Sequence, residues 1–522
     1  MNEPSVFDTD RRVRLGIWGL GRGAGFAATC KALSIDVVAG CERYEPAREA
    51  FRAAVPGVRV TADAEEFLSW EFDAVLLATY CPDHGAHAVQ CLEAGKHVLS
   101  EVTSFQTPAE GVALVETVER TGLIYNLAEN YPFTKPRLYL ARRFREGFFG
   151  DLEYAENEYN HDSRRPLSFR YNGGGPVRPG HSLHGWRSWQ HQHFYSTHSL
   201  GPIMHITGAR PTRVVSLPGQ NSMAANVSQV ASAKMATVAP SLLTMSDGGL
   251  VRNFMGSTPN DSHLLRLWGT KAAAVYDGDL SLRVGGKGEG TFISVEPTWP
   301  EPDRRQTTGR SSRNPSLGEL AESTGHGGGD FWVLYQFARQ ILFGEPAFWD
   351  VYRAADVTLA GICAYRSALE RGRPLDVPDF RDTETRNAWR DDRLAQTPYD
   401  WRTGPFPPEV DRQELSDFTD VMSALIDVHA TGARAAADIL AVENEIADPA
   451  PARQVLREFL DRREEMREVF DRAEALRRLA PGSDGARMIA EMLELAEAER
   501  TESDEFAAEV SAALDRLDVR GR

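Results

Sequence analysis

Apolar and polar positions fall into two kinds of block along the first 130 residues. Residues 13–19 (VRLGIWG) form a short apolar run closed by glycine, the pattern of a buried strand. AGFAATCKAL follows with helical spacing, and DVVAGCE (36–42) reads as the next strand. FDAVLLAT (72–79), KHVLSE (96–101) and LIYNLAEN (123–130) repeat the strand pattern. PDHGAHAVQCLEAG and a segment opening near Pro108 read as the helices between them. Strand and helix in rotation predict a parallel sheet with helices on both faces.

The pattern changes after residue 133. From 150 to 285, β-rich segments are punctuated by SDGG (246–249) and DGD (277–279), turn signals that predict an antiparallel meander. Residues 286–328, rich in Gly, Pro, Ser and Arg, read as a long, mobile loop. Two helices follow, DFWVLYQFARQILFG and DVYRAADVTLAGICAYRSALERG. From about residue 405 the chain turns acidic, with 28 acidic and 15 basic residues and no lysine. Proline-bearing breaks at 448–451 and 481–485 separate helical stretches there. Val455, Phe459, Met466 and Phe470 share one helical face, and Phe506, Val510, Leu514 and Leu517 share another. This region predicts a small helical bundle or an oligomerisation arm.

At 522 residues the chain exceeds a single core. Its 42% hydrophobic and 25% charged residues are ordinary for a globular protein. A net charge of −17 argues against nucleic acid or an anionic membrane as partner. Cys30, Cys41, Cys81, Cys91 and Cys363 form no CxxC, so reduced thiols in a cytoplasmic protein are expected. The N-terminus shows no apolar core of signal-peptide length, and no run of about 18 apolar residues occurs anywhere.

GLGRGAG (19–25) sits between the first strand and the first helix. Gly19 suits the tight turn, Gly21 the close approach of a pyrophosphate, and Ala24 the third small position at the helix–strand contact; Arg22 and Gly23 complete the cofactor-facing stretch. Glu42 stands 21 residues beyond Gly21, at the end of the second strand, where a carboxylate accepts bonds from ribose hydroxyls. That placement favours NAD, and Arg43 beside it keeps NADP as the alternative. The predicted fold class is an α/β Rossmann domain (1–132), an α+β domain with an open, mainly antiparallel sheet (133–404), and an all-α extension (405–522).

GLGRGAG, Glu42 in AGCERY, ATYCPDH (78–84), EAGKHVLSE (93–101) and LAENY (127–131) together resemble the glucose-fructose oxidoreductase / inositol dehydrogenase (Gfo/Idh/MocA) family over residues 12–382. Ordinary members carry Glu-Lys-Pro after the fourth strand, and here the triplet is Glu101-Val102-Thr103. They also carry Asp-x-Gly-x-His-x-x-Asp, where this chain keeps His198 but has Phe194 and Gly201 in place of the aspartates. Tyr195-x-Thr197-His198-x-Leu200-Gly201-Pro202, the missing lysine and His326-Gly-Gly-x-Asp330 resemble instead the branch of NAD-dependent glycosidases typified by α-N-acetylgalactosaminidase.

The resemblance implies a bound NAD that oxidises a sugar hydroxyl, with elimination, hydration and re-reduction completing a redox-neutral glycosidase cycle. Such a cycle needs proton-transfer groups rather than two carboxylates flanking the bond. His198 and Tyr195 are the catalytic candidates. Arg187, His326, Asp330 and Asn130 are expected at the substrate, with a helix cap as the bland alternative for Asp330. Thr79, His84 and Glu101 are expected at the cofactor. His191, His193 and His205 are expected to pack or line a pocket. A metal site from His181, His184, His191 and His193 has no clean ligand spacing, so no metal is predicted. The expected partner is a small carbohydrate, and a homo-oligomer is expected. The alternatives are a net NAD(P)-dependent sugar or polyol dehydrogenase and a sugar/NAD-binding sensor without turnover.

Overall fold

The computed structural model describes residues 6–161, 186, 190–217, 238–256, 258, 262–284, 291–300, 316–395, 421, 424–479, 481, 484–498 and 503–520. Six parallel strands make the first sheet: β1 (Val13–Trp18), β2 (Ile35–Cys41), β3 (Arg59–Thr61), β4 (Ala74–Leu77), β5 (His97–Ser100) and β6 (Tyr125–Leu127), in the order β3-β2-β1-β4-β5-β6. The order reverses between β1 and β4, and that switch point is where open α/β sheets bind ligands. Five of these strands coincide with the apolar runs. β3 was not anticipated, because three half-exposed residues at a sheet edge carry no periodic signal.

The segment after the glycine turn departs from the expected single helix. It is a 3-10 turn (Gly23–Phe26), the short helix α1 (Ala27–Cys30) and a second 3-10 turn (Lys31–Leu33), closed by Ser34 at φ 55°. Helices α2 (Glu45–Ala54), α3 (Ala64–Ser69), α4 (His84–Glu93) and α5 (Pro108–Thr121) cover the sheet. α5 starts where its sequence dictates. Thr107 caps it and exchanges bonds with Glu110, Pro108 fills the first turn, and Gly122 closes the last in a left-handed conformation.

After α6 (Lys135–Arg145) the chain builds a nine-stranded sheet, flanked by α7 (Thr197–Thr207). Its strands are β7 (Leu152–Asn160), β8 (Pro211–Ser216), β9 (Val238–Met245), β10 (Leu250–Gly256), β11 (Leu265–Gly269), β12 (Ala273–Asp277), β13 (Asp279–Val284), β14 (Thr291–Ser294) and β15 (Leu375–Asp376). The SDGG and DGD turns close the antiparallel hairpins β9–β10 and β12–β13. The sheet is not a pure meander, since β10 runs parallel to its neighbour β7. Alternation along β7 buries Ala155, Asn157 and Tyr159 on one face and leaves Tyr154, Glu156 and Glu158 half-buried on the other.

The expected loop over 286–328 contains structure. β14 adds an edge strand, and α8 (Leu317–Glu322) begins at a reciprocal Ser316–Glu319 cap that the Ser-x-x-Glu spacing encodes. Residues 286–290 and 301–315 lie outside the described residues. Helices α9 (Gly329–Phe343), α10 (Val351–Leu369) and α11 (Thr383–Ala388) complete this part, with α10 packed against β8 and β6.

The extension holds helices over Arg434–Val442, Pro449–Asp461, Arg463–Leu479, Asp484–Ala498 and Asp504–Arg520, preceded by a π-type segment, Ile426–Ala433. Phe459, Met466, Phe470, Phe506, Val510 and Leu517 form an apolar core separate from that of the two sheets. Two face assignments need correction. Leu456 rather than Val455 is the buried partner of Phe459, and Ala513 sits deeper than Leu514. The proline at 449 starts a helix rather than only ending one, with Asp448 capping it.

The glycine turn is the most constrained point of the first sheet. Gly19 has φ +97°, and a Cβ there would stand 2.2 Å from the Ala78 carbonyl oxygen. Gly19→Ala is expected to lower the thermal midpoint by several degrees, consistent with roughly 1–3 kcal/mol of strain. A melting curve superimposable on the parent's would refute that placement.

Candidate active site

A cleft of about 730 Å³ opens at the switch point of the first sheet and is shared with the helix-bearing face of the second. Gly19, Gly21 and Arg22 line its floor, with Glu42 and Arg43 at one end. The Glu42 carboxylate accepts the backbone N–H groups of Leu20 and Tyr44, each at 3.1 Å, and so is fixed at the tip of β2. Gly23 lies against β1, where a Cβ would meet Ile17 Cγ2 at 2.6 Å. Gly23, not Ala24, therefore fills the close helix–strand contact, and Ala24 is half-buried. The displacement follows from the first turn being 3-10 rather than α. A bare-backbone turn, a carboxylate at the ribose position and a cleft of this size fit a dinucleotide.

The far wall is built from Thr79, His84 and His87. The Thr79 hydroxyl lies 2.9 Å from His87 Nδ1, and the His87 ring stacks on Trp18 at 4.3 Å. His84 spends both ring nitrogens on backbone carbonyls, those of Thr103 and Thr79, each at 3.1 Å. Burial pulls its pKa down to about 4 against those contacts; the neutral ring has a single N–H and donates to one of the two carbonyls, and only the charged ring would bond both.

Arg22 crosses from the glycine turn to the second half of the molecule. Its Nε donates to Glu101 Oε1 at 3.0 Å and its Nη2 to Asp330 Oδ1 at 2.6 Å. Asp330 also accepts from Asn130 Nδ2 at 2.9 Å and lies 3.1 Å from His326 Nδ1. Burial raises the Asp330 carboxyl, but the bonds and charges of His326 and Arg22 outweigh it and hold the group well below the usual range. Glu101 is displaced upward by burial, with Arg22 opposing.

His198 opens α7 with its ring at the cleft. Pro202 cannot donate to the His198 carbonyl, and Asn157 Nδ2 reaches that oxygen at 3.4 Å and the Ser199 oxygen at 2.6 Å. His198 Nδ1 lies 2.8 Å from both carboxylate oxygens of Glu129, which is fully buried just beyond β6. Gly201 makes room for that carboxylate, because a Cβ there would stand 3.2 Å from Glu129 Cγ and from the Trp349 ring. Around the imidazole stand the rings of Tyr131 (4.6 Å), Tyr159 (4.8 Å) and Tyr195 (4.7 Å), with Trp186 4.7 Å from Tyr195.

Residues 13–129 match the profile described as "Oxidoreductase family, NAD-binding Rossmann fold", and residues 314–391 match "Glycosyl hydrolase 109, C-terminal domain". The chain joins a Gfo/Idh/MocA domain to a glycosyl hydrolase 109 C-terminal domain. Among similar sequences, a glycosyl hydrolase family 109 protein of Solibacter usitatus is 27% identical over 74% of this chain and 91% of its own length. The α-N-acetylgalactosaminidase of Tannerella forsythia is 26% identical over 61% of this chain and 72% of its own. Among solved structures, an oxidoreductase domain protein from Kribbella flavida aligns with TM-score 0.56 at 16% identity, covering 70% of this chain and all of that one. A levoglucosan dehydrogenase in complex with NADH and L-sorbose gives the same TM-score at 16% identity, covering 71% of this chain and all of that one. At that identity the likeness concerns the fold.

The expected site residues divide by position. Gly19, Gly21, Arg22, Glu42, Thr79, His84, Glu101, Tyr195, His198 and His326 all line the cleft. Gly23 and Ala24, already placed at the start of the first helical segment beside β1, do not, and neither do Asp330 and Asn130. The last two are buried behind His326, where Asp330 anchors Arg22 rather than capping α9, whose N-cap is Gly328. Arg187, His181 and His184 lie outside the described residues. His191 and His193 are buried and His205 is half-buried with its ring packed on Phe133 and Phe348, and desolvation pulls His191 down to about 4, His205 to about 3, and His193 in the same direction. The residue that sequence reasoning passed over is Glu129. It stands inside LAENY beside Asn130, an acid directly after a buried strand, and that burial was its only signal.

The buried neutral histidines predict a pH window. Their folded pKa values lie below the unfolded 6.5, so the unfolded chain binds more protons once pH drops under 6.5. Stability is fully present above pH 6.5 and falls as pH is lowered toward 4, by up to about 1.4 kcal/mol per pH unit for each such group. His205→Gln should show a shallower decline of thermal midpoint between pH 6.5 and 4 than the parent. Equal slopes would mean that the ring at 205 charges freely in the folded protein.

Proposed function

We propose that this chain is an enzyme that holds NAD in the cleft and uses it on a carbohydrate, as a redox-neutral glycosidase. The observation that carries the reading is the His198 imidazole, which lines the same cleft as the glycine turn and Glu42 and is held from behind at 2.8 Å by the buried Glu129 carboxylate. Bound there, NAD supplies a reversible acceptor for hydride from a sugar carbon. Glu129 accepts from Nδ1–H, which fixes the tautomer and makes Nε2 the nitrogen that takes a proton from a sugar hydroxyl. Tyr195, in ring contact with His198, is the second proton-carrying group. Tyr159, Tyr195 and Trp186 give the apolar surface against which a pyranose stacks and from which water is excluded.

The two carboxylates nearest the proposed proton-transfer groups, Glu101 in the cleft and Glu129 behind it, do not serve as a conventional glycosidase acid or nucleophile. Glu101 is paired with Arg22, and Glu129 with His198. The fixed Glu42 carboxylate accepts ribose hydroxyls and repels a 2′-phosphate, which favours NAD over NADP. The glycosyl hydrolase 109 match and the α-N-acetylgalactosaminidase relative support a glycoside as substrate, with aryl α-N-acetylgalactosaminides the first to try.

The test is incubation of the purified protein with p-nitrophenyl α-N-acetylgalactosaminide and a panel of aryl glycosides in D2O, with no nucleotide added. The expected result is nitrophenol release, deuterium at the sugar C2 and no accumulation of reduced nicotinamide. His198→Gln should lower kcat by about 10²–10⁴-fold. Reduced nicotinamide formed in proportion to sugar consumed, with the glycosidic bond intact, would replace this reading with a net dehydrogenase.

A further inference from the structure

Behind the aromatic rings lies a charge that the chemistry so far does not use. Arg137, in the first turn of α6, is 3% exposed. Its Nη1 donates to Thr134 Oγ1 at 3.2 Å and its Nη2 to the His263 carbonyl at 3.4 Å, while Nε has no acceptor. The guanidinium carbon lies 5.6 Å from the ring centres of both Tyr131 and Tyr276. Among the described residues no carboxylate forms an ion pair with it. An interior cation held by one hydroxyl, one carbonyl and two rings is costly, and it persists where a nearby anion needs it.

That anion is Glu129. Tyr131 connects the two groups: its N–H donates to Glu129 Oε1 at 3.1 Å, and its ring contacts both the Arg137 guanidinium and the His198 imidazole. We propose that Arg137 is a positioning residue, the fixed counter-charge that keeps Glu129 ionised while His198 gains and loses its proton. With His198 neutral, Glu129 would otherwise be a lone carboxylate in the interior. Its stable responses would be to draw a proton onto itself or onto the imidazole. A permanent cation close by balances the carboxylate in that state and favours the imidazole form ready to accept a proton.

Among the described residues, the other titratable groups facing the pair supply no such charge. Tyr131, Tyr159 and Tyr195 are phenols, ordinarily uncharged at neutral pH. His263 and His326 lie one ring further out, against Tyr131, and His326 already faces Asp330.

The proposal rests on His198 as the proton-carrying group of the cleft, so its test uses no substrate. The full chain is treated with diethyl pyrocarbonate, which acylates neutral imidazole, over a pH series, and label at His198 is counted by peptide mass spectrometry. In Arg137→Gln the labelling midpoint should move up by about one pH unit, a roughly tenfold loss of labelling on the acid side. Arg137→Lys, which keeps the charge, should stay near the parent's midpoint. An unmoved midpoint in folded Arg137→Gln overturns the proposal, whatever happens to turnover. Absence of turnover with a shifted midpoint would instead count against the glycosidase reading alone. If Arg137→Gln does not fold, thermal midpoints of Glu129→Gln and the double variant decide. A double variant at least as stable as Glu129→Gln supports the charge pairing, and one less stable than it overturns it.

Discussion

A fully buried carboxylate and a buried imidazole, in contact at 2.8 Å, join the two halves of this molecule. Glu129 comes from the chain leaving the first sheet, and His198 from the helix laid over the second. Neither group is stable in that position alone, because an unpartnered interior carboxylate costs several kcal/mol. Much nearby geometry follows from keeping the two together. Gly201 leaves space for the carboxylate, and Trp349 packs beside it while its carbonyl accepts the Leu127 N–H at 3.0 Å. Asn157 donates to the Ser199 carbonyl and also reaches the His198 carbonyl, which Pro202 leaves without its helical donor. The resulting histidine is fixed in direction and open to the cleft, unlike the three other described histidines in its stretch of sequence.

The first sheet was legible because each of its strands but one is an apolar run bounded by turn chemistry, and the glycine turn announces its own conformation. The second sheet was legible as hairpins but not as a topology. The parallel pairing of β10 with β7 joins residues about 95 positions apart, for which local pattern carries no information. The same limit applies at the site. His198 and Tyr195 stood out because they are close in sequence and of reactive type. Glu129 and Arg137 act through burial and through partners 69 and 126 residues away, as the His198 and His263 contacts show. Asp330 was selected for its motif, but its carboxylate serves Arg22, a residue 308 positions earlier.

The absence of a lysine after β5 takes on meaning in this setting. Glu101-Val102-Thr103 leaves no ammonium beside Glu101, and Arg22 takes the electrostatic place by pairing with that carboxylate from the glycine turn. A guanidinium, permanently charged, balances Glu101 but does not exchange protons at neutral pH. In the proposed cycle, proton transfer is thereby left to the imidazole and phenol on the opposite wall.

Arg22 also makes the floor of the cleft and the opposite half of the molecule a single mechanical unit. Its charge-assisted bond to Glu101 stays within the first half, and that to Asp330 crosses to the second. Moving the glycine turn away from the opposite half means parting the Asp330 contact. Ions of added salt compete for the separated charges, so the rivet fastens most firmly in dilute buffer.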